Sequence, residues 1–136
     1  MAGLLLDTCA VLWTGHNQRM SRTALSAMTE ALKQGELFAS PFSAWELSLL
    51  SARGRLSLSM DVDSWFEAYL RNGGVAMAQL SVRILIGANQ LPGSPPNDPA
   101  DRIMIATARQ LNLAIVTRDS RILDYGAAGL VQTVAC

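Results

Sequence analysis

Short apolar runs alternate along this chain with stretches of helical spacing, and that alternation limits the possible folds more than any other feature. Leu4–Leu6, Leu37–Ala39, Val75–Leu80, Ala114–Val116 and Leu130–Val134 read as strands. Unbroken apolar character suits a strand covered on both faces. Between them, residues 20–34, Pro41–Arg53, Asp61–Arg71, Ser81–Leu91, Pro99–Leu111 and Ser120–Leu123 read as helices. The first three run into Gly35, Gly54 and Gly73-Gly74, which are ordinary helix stops. The predicted class is α/β: a short parallel central sheet flanked by helices on both faces. In such sheets ligands bind outside the carboxyl ends of the strands. Pro92–Pro99 (PGSPPNDP) is too short for a domain linker and reads as an ordered loop.

Composition narrows the class further. A length of 136 residues suits one domain spanning 1–136, and half of the residues are apolar, enough for a core. The formal net charge is zero, so there is no global basic field to draw in nucleic acid. Ten of the eleven basic residues are Arg, whose forked donors match phosphate oxygens. Cys9 and Cys136 do not make a disulfide framework, and Cys9, just after a strand, is expected to be buried. MAGLLLDTC lacks the features of a signal peptide, and no apolar run reaches membrane length. A reducing cytoplasmic setting is the expectation.

Five of the eleven acids fall where strands end or helices begin: Asp7, Glu46, Asp98, Asp101 and Asp119. Each can be read as a helix cap. Ser43-x-x-Glu46 has the spacing of a capping box, and Asp98-Pro99 has that of an N-cap followed by Pro at the first helical position. Asp101 would then lie in the first turn, where the helix dipole favours an acid, and Asp7 and Asp119 could cap following helices. Capping does not require the acids to converge, but a parallel sheet brings the ends of its strands to one rim. Carboxylates gathered there repel one another unless a cation neutralises them. The single lysine, Lys33, lies elsewhere in the sequence. Hard oxygen ligands of this kind suit Mg²⁺ or Mn²⁺.

Rival sites fit less well. An aspartyl-nucleophile phosphatase wants Asp-x-Asp after the first strand, but Cys9 stands at the second position. A phospho-acceptor receiver wants a lysine after its last strand. A Ser/His/Asp hydrolase would have to use His16, the only histidine, without a Gly-x-Ser-x-Gly elbow. Zinc ligand spacing and a Gly-rich nucleotide loop are both missing from the sequence.

The segments LLLDTCAVLW, SPFSAWELSLLSARGRLSL and NDPADRIMIATARQLNLAIVTRDSRIL, in this order and spacing, resemble the PIN-domain family, in particular the VapC-type toxins of bacterial toxin–antitoxin pairs. The resemblance covers nearly the whole chain. It implies an α/β/α domain and a Mg²⁺- or Mn²⁺-dependent ribonuclease. It further implies a homodimer silenced by a small antitoxin. By position the family's acidic set falls on Asp7, Glu46, Asp101 and Asp119, with Asp7, Asp101 and Asp119 as metal ligands. Thr117 matches an accompanying hydroxyl, and Asp98 a further acid before the buried helix. Arg102 and Arg118 flank Asp101 and Asp119, and could contact RNA phosphates or offset the acids' charge. For Arg102 the second role is favoured, because Asp98 precedes it by one helical turn. Asn97 is a departure, since related sequences often carry His there. A PIN-type processing nuclease without an antitoxin and a catalytically inactive binding module are the alternatives. Trp13, Phe42, Trp45, Leu49, Leu50, Trp65, Phe66 and Met20 are divided between core and a groove for an antitoxin helix.

Overall fold

A computed structural model describes residues 3–136 of the chain. Met1 and Ala2, part of the stretch read against a signal peptide, lie outside the described residues. Among the described residues, five parallel strands form one sheet: β1 (Leu4–Leu6), β2 (Leu37–Ala39), β3 (Ala76–Met77), β4 (Ala114–Thr117) and β5 (Gln132–Ala135). Their spatial order is β3-β2-β1-β4-β5. Seven helices connect them: α1 (Thr8–Gly15), α2 (Arg22–Lys33), α3 (Pro41–Ala52), α4 (Val62–Gly73), α5 (Val82–Gly87), α6 (Pro99–Leu111) and α7 (Ser120–Ala127).

The central strands carry the most deeply buried side chains, as their uninterrupted apolar sequence requires. Leu5, Leu6, Ile115 and Val116 are wholly buried. Leu4 and Leu6 face one core with α1, α2, α3 and α4, including Val11, Leu47, Trp65 and Phe66. Leu5 and Ile115 face the other, built with Met104, Ile105 and Ala108 of α6 and Ile122 of α7. Helices on both faces leave every β1 side chain in apolar surroundings, hence the unbroken Leu run.

Several elements differ from the sequence reading. The strand expected over Val75–Leu80 shrinks to two residues, because β3 is an edge strand that pairs with β2 only through Phe38↔Ala76 and Ala39↔Met77. The helix expected over Ser81–Leu91 ends at Gly87, and the amides of Asn89 and Gln90 turn back onto Ile86 and Gly87. Conversely, α7 extends to Ala127 rather than stopping at Leu123, since Tyr125 packs beneath it on the core. The last strand is shifted to Gln132–Ala135, in register with β4. Helix α1 carries no helical period of its own beyond its Asp7 cap, because it is apolar on several sides.

The topology already singles out one place. From β1 the chain moves outward through β2 and β3, and it then crosses back to start β4 on the opposite side. β1 and β4 are therefore neighbours at the point where the strand order reverses, with Leu6 opposite Val116. That switch point opens a crevice at the carboxyl ends of the strands.

Candidate metal centre

Asp7 directly follows β1 and Asp119 follows β4, so both stand at the crevice. Each caps the next helix: Asp7 Oδ1 accepts from the Thr8 amide at 2.8 Å, and Asp119 Oδ1 accepts from the Arg121 amide at 2.8 Å. Asp98 caps α6, accepting from the Ala100 amide at 2.8 Å, with Pro99 in the first turn. One turn of α6 carries Asp101 onto the same rim. The capping reading and the convergent reading of these acids are thus both correct. A cap fixes the carboxylate at a helix N-terminus, and the fold points three such termini, those of α1, α6 and α7, toward one mouth.

Glu46 arrives differently. It closes no capping box with Ser43, because Pro41 begins α3 and the capping hydroxyl is Ser40, which accepts from the Phe42 amide. This corrects the Ser43-x-x-Glu46 reading. Glu46 instead accepts a 2.5 Å bond from the Thr8 hydroxyl of α1. Ser43 lies 2.9 Å from the same Thr8 oxygen. The Thr8 proton points at the carboxylate, so Ser43 must donate to Thr8. Ser43 thus holds Thr8, and Thr8 holds Glu46.

Thr117 is the second such anchor. It is fully buried, and its hydroxyl donates to Asp7 Oδ2 at 2.7 Å while accepting from the Asp119 amide at 2.9 Å. One hydroxyl thereby fixes the acids that follow β1 and β4, beyond its local role as a β-branched residue at a strand end.

Asp7, Glu46, Asp98, Asp101 and Asp119 line one open cavity of about 650 Å³, together with Arg121. Crowding and burial show in their acidities. Burial, then the charges of Asp119 and Asp98, push the Asp101 carboxyl up to about 7, with Arg121 opposing. Burial likewise raises Asp7, against the bonds from Thr117 and Thr8, and raises Glu46, against the bond from Thr8. Burial also pushes on Asp119, but the hydrogen bonds from Arg121 outweigh it and hold that carboxyl below its ordinary value.

Arg121 is the charged residue of this cavity that the sequence reading missed. Its Nη2 lies 3.1 Å from Asp119 Oδ2 and 3.3 Å from Asp101 Oδ2. The pattern held a signal for it: with Asp119 as N-cap, a long side chain two positions later lies over the cap. The arginines that the sequence did single out go elsewhere. Arg102 donates to the Pro96 carbonyl at 2.6 Å rather than pairing with Asp98. Arg118 donates to the carbonyls of Cys136 and Arg19, both at 2.8 Å, and lies over the Trp13 ring.

The donor set fits a hard divalent cation. Its oxygens are carboxylates, and Asp101 Oδ2 is buried without a hydrogen-bond partner, although Arg121 stands at ion-pair distance. As the side chains stand, with Arg121 between Asp101 and Asp119, no three acidic, His or Cys groups among the described residues are placed to hold a metal ion together. Mg²⁺ keeps several waters and is commonly bound by one or two carboxylates, so a closed cage is not required.

Cys9 corrects another expectation. It is exposed and lines the cavity instead of being buried. Partial burial of the thiol, then the charges of Asp7, Glu46 and Asp119, raise it from 9.0 to about 11. Its thiolate fraction at pH 8 should be roughly 100-fold below that of a free thiol, and because a more basic thiolate is the better nucleophile, its reaction rate should fall by roughly tenfold. Ellman's reagent should therefore label Cys9 slowly in the native protein and rapidly after denaturation. Equal rates would mean that the carboxylates do not act on it.

The PIN domain family matches residues 4–128. Ribonuclease VapC22 from Mycobacterium tuberculosis is 33% identical over 126 residues, covering 92% of this chain and 93% of that protein. Two solved structures share the fold. A chain of VapBC2 from Rickettsia felis, bound to a DNA fragment from their promoter, superposes with a TM-score of 0.68 at 12% identity, covering 97% of each chain. FitAcB from Neisseria gonorrhoeae gives a TM-score of 0.56 at 20% identity, covering 96% of this chain and 95% of that one. The family match over most of its length and the identity to VapC22 place this chain in the PIN-domain family.

Proposed function

We propose that this chain is a Mg²⁺- or Mn²⁺-dependent ribonuclease and the toxin of a bacterial toxin–antitoxin pair. The observation that carries the reading is the convergence of five carboxylates on one mouth at the switch point, one of them with a buried oxygen that receives no hydrogen bond. Asp7, Asp101 and Asp119 would hold the ion, with Glu46 as a further ligand or as the group that orients water. When bound, the ion supplies a water of lowered pKa and positive charge for the phosphoryl oxygens. The chain's own residues keep the geometry. Thr117 and the Thr8 amide hold Asp7 in one rotamer, and the Ser43–Thr8 pair holds Glu46. These supports lock the carboxylates before substrate arrives.

The partner reading draws on the wall beside the acids. Trp65, Phe66 and Met20 are core, whereas Trp45 is 56% exposed and stacks on Phe42 at 5.2 Å. Both line the acidic cavity with Leu49 and Leu50. An apolar lip beside an acidic mouth suits a small antitoxin that lays apolar side chains on the lip and a basic one among the carboxylates. VapC22 is named a ribonuclease, and VapBC2 is a complex bound to its promoter DNA. From the resemblance to the VapC-type toxins we further propose a homodimer, an antitoxin partner and a cytoplasmic site of action. No helix among the described residues is long and apolar enough to cross a membrane.

The test is cleavage of single-stranded RNA by the purified protein in Mg²⁺, Mn²⁺ and EDTA, alongside growth of a bacterial host expressing it. Cleavage that needs the divalent ion, and growth arrest relieved by the product of an adjacent small gene, are the expected results. Intact RNA with healthy growth would leave an inactive binding module as the better account.

A further inference from the structure

Arg121 poses a question that the nuclease reading leaves open. Its guanidinium bridges the carboxylates of Asp119 and Asp101, the same oxygens that the proposed function assigns to a divalent ion. A guanidinium and a hard dication cannot share those oxygens at close range, since like charges repel across a few ångströms. Two features mark the arginine as the occupant that can leave. Its side chain is 57% exposed, and among the described residues its polar side-chain contacts all go to Asp119 and Asp101. Arg118 and Arg102, by contrast, are tied to backbone carbonyls. The fit on Asp101 is also incomplete: Oδ2 has the guanidinium 3.3 Å away yet receives no hydrogen bond from it. That oxygen keeps a lone pair which a hard cation would satisfy better than Arg121 does.

We infer that Arg121 is a displaceable internal counter-ion: its guanidinium and a divalent cation are alternative occupants of the Asp101–Asp119 pair, so that Arg121 sets the metal concentration at which the site loads. The inference rests on the metal-dependent function proposed above. It gives the exposed arginine on the first turn of α7 a threshold role, distinct from contact with RNA. Because the arginine belongs to the chain, its effective concentration at the acids is high and does not vary. A divalent ion must outcompete it, so removing it tightens metal binding and weakens the metal-free site.

The experiment titrates Mn²⁺ into wild type, Arg121→Gln and Arg83→Gln at pH 8. Calorimetry and the shift in unfolding midpoint are the readouts, and RNA is absent. Arg83 lies on α5 and lines a different groove, so its variant removes the same charge away from the mouth. Expected are a roughly tenfold gain in Mn²⁺ affinity for Arg121→Gln, a lower unfolding midpoint for that variant in EDTA, and wild-type affinity for Arg83→Gln. Should Arg121→Gln fail to fold, Arg121→Lys takes its place; the ammonium keeps the charge but lacks the second donor that Nε–H supplies to Asp119 Oδ1, and an intermediate gain is expected. Wild-type affinity in the Arg121 variant, or an equal gain in Arg83→Gln, overturns the inference while the metal site itself stands. Absence of Mn²⁺ binding in every protein overturns the inference and the metal reading together.

Discussion

Asp101→Asn is expected to make the metal-free protein more stable at pH 8 and at the same time to abolish RNA cleavage. Asp101 is a buried acid whose proton leaves near pH 7 in the folded protein, against about 3.9 in an unfolded chain. The folded state therefore binds that proton more tightly, and stability falls as pH rises from about 4 to about 7. Above that window the ionised carboxylate is a standing cost. A difference of this size is at most about 4 kcal/mol, and since the site opens to solvent the realised cost should be on the order of 1–2 kcal/mol. Asn keeps the shape, does not ionise and can still lie in the first turn of α6. A gain of several degrees in unfolding midpoint at pH 8, vanishing near pH 4, is the expected signature for a domain of this size. Asn is a poor ligand for a hard cation, so cleavage should fall by ~10²-fold or more. Thermal melts in EDTA across pH, paired with cleavage of a labelled single-stranded RNA in Mn²⁺, check both halves. A variant that cleaves like wild type would remove Asp101 from the active site.

Millimolar Mn²⁺ should cancel the alkaline loss of stability in the wild type. Asp101, Asp7 and Glu46 are all raised, each by burial first, so all three make the folded protein less stable as they ionise. Asp119 is lowered and acts in the opposite sense, but its contribution is lost only as pH falls through the acid range, below this window. A cation bound only to the folded state stabilises it by mass action, ~2.7 kcal/mol at a hundredfold excess over its dissociation constant. It also favours ionised carboxylates, so its effect grows with pH. Unfolding midpoints at pH 5 and pH 8, each with EDTA and with Mn²⁺, should show little ion effect at the lower pH and a large one at the higher. A shift of the same size at both values, or none, would mean that these acids are not the ligands.

The elements that bury continuous apolar runs were readable in the chain. Leu4–Leu6, Leu37–Ala39 and Pro99–Leu111 stand at the residues their composition indicates. So were the capping acids Asp7, Asp98 and Asp119, because a cap at a helix N-terminus is a local matter of residue type and spacing. Readings that depended on a distant partner failed. Whether Val75–Leu80 is a long strand is decided by how far β2 runs alongside it, and β2 pairs with only two of its residues. Whether Cys9 is buried is decided by what lies over the first turn of α1, and that turn faces the open mouth. Glu46 looked like half of a capping box, yet the hydroxyl that holds it comes from Thr8, 38 residues earlier.

By itself the sequence determined the α/β class, the run of short buried strands and the identities of the acids, since all of these follow from periodicity and residue chemistry along a few turns. Only the tertiary structure decided that β1 and β4 are neighbours, that Thr117 joins Asp7 to the Asp119 amide across 110 positions of chain, and that Arg121, rather than Arg102 or Arg118, is the cation among the carboxylates. The physical reason is range. Capping and amphipathic patterns act within one or two helical turns, whereas strand order and side-chain convergence come from burying both faces of one sheet, a condition satisfied by the whole chain at once.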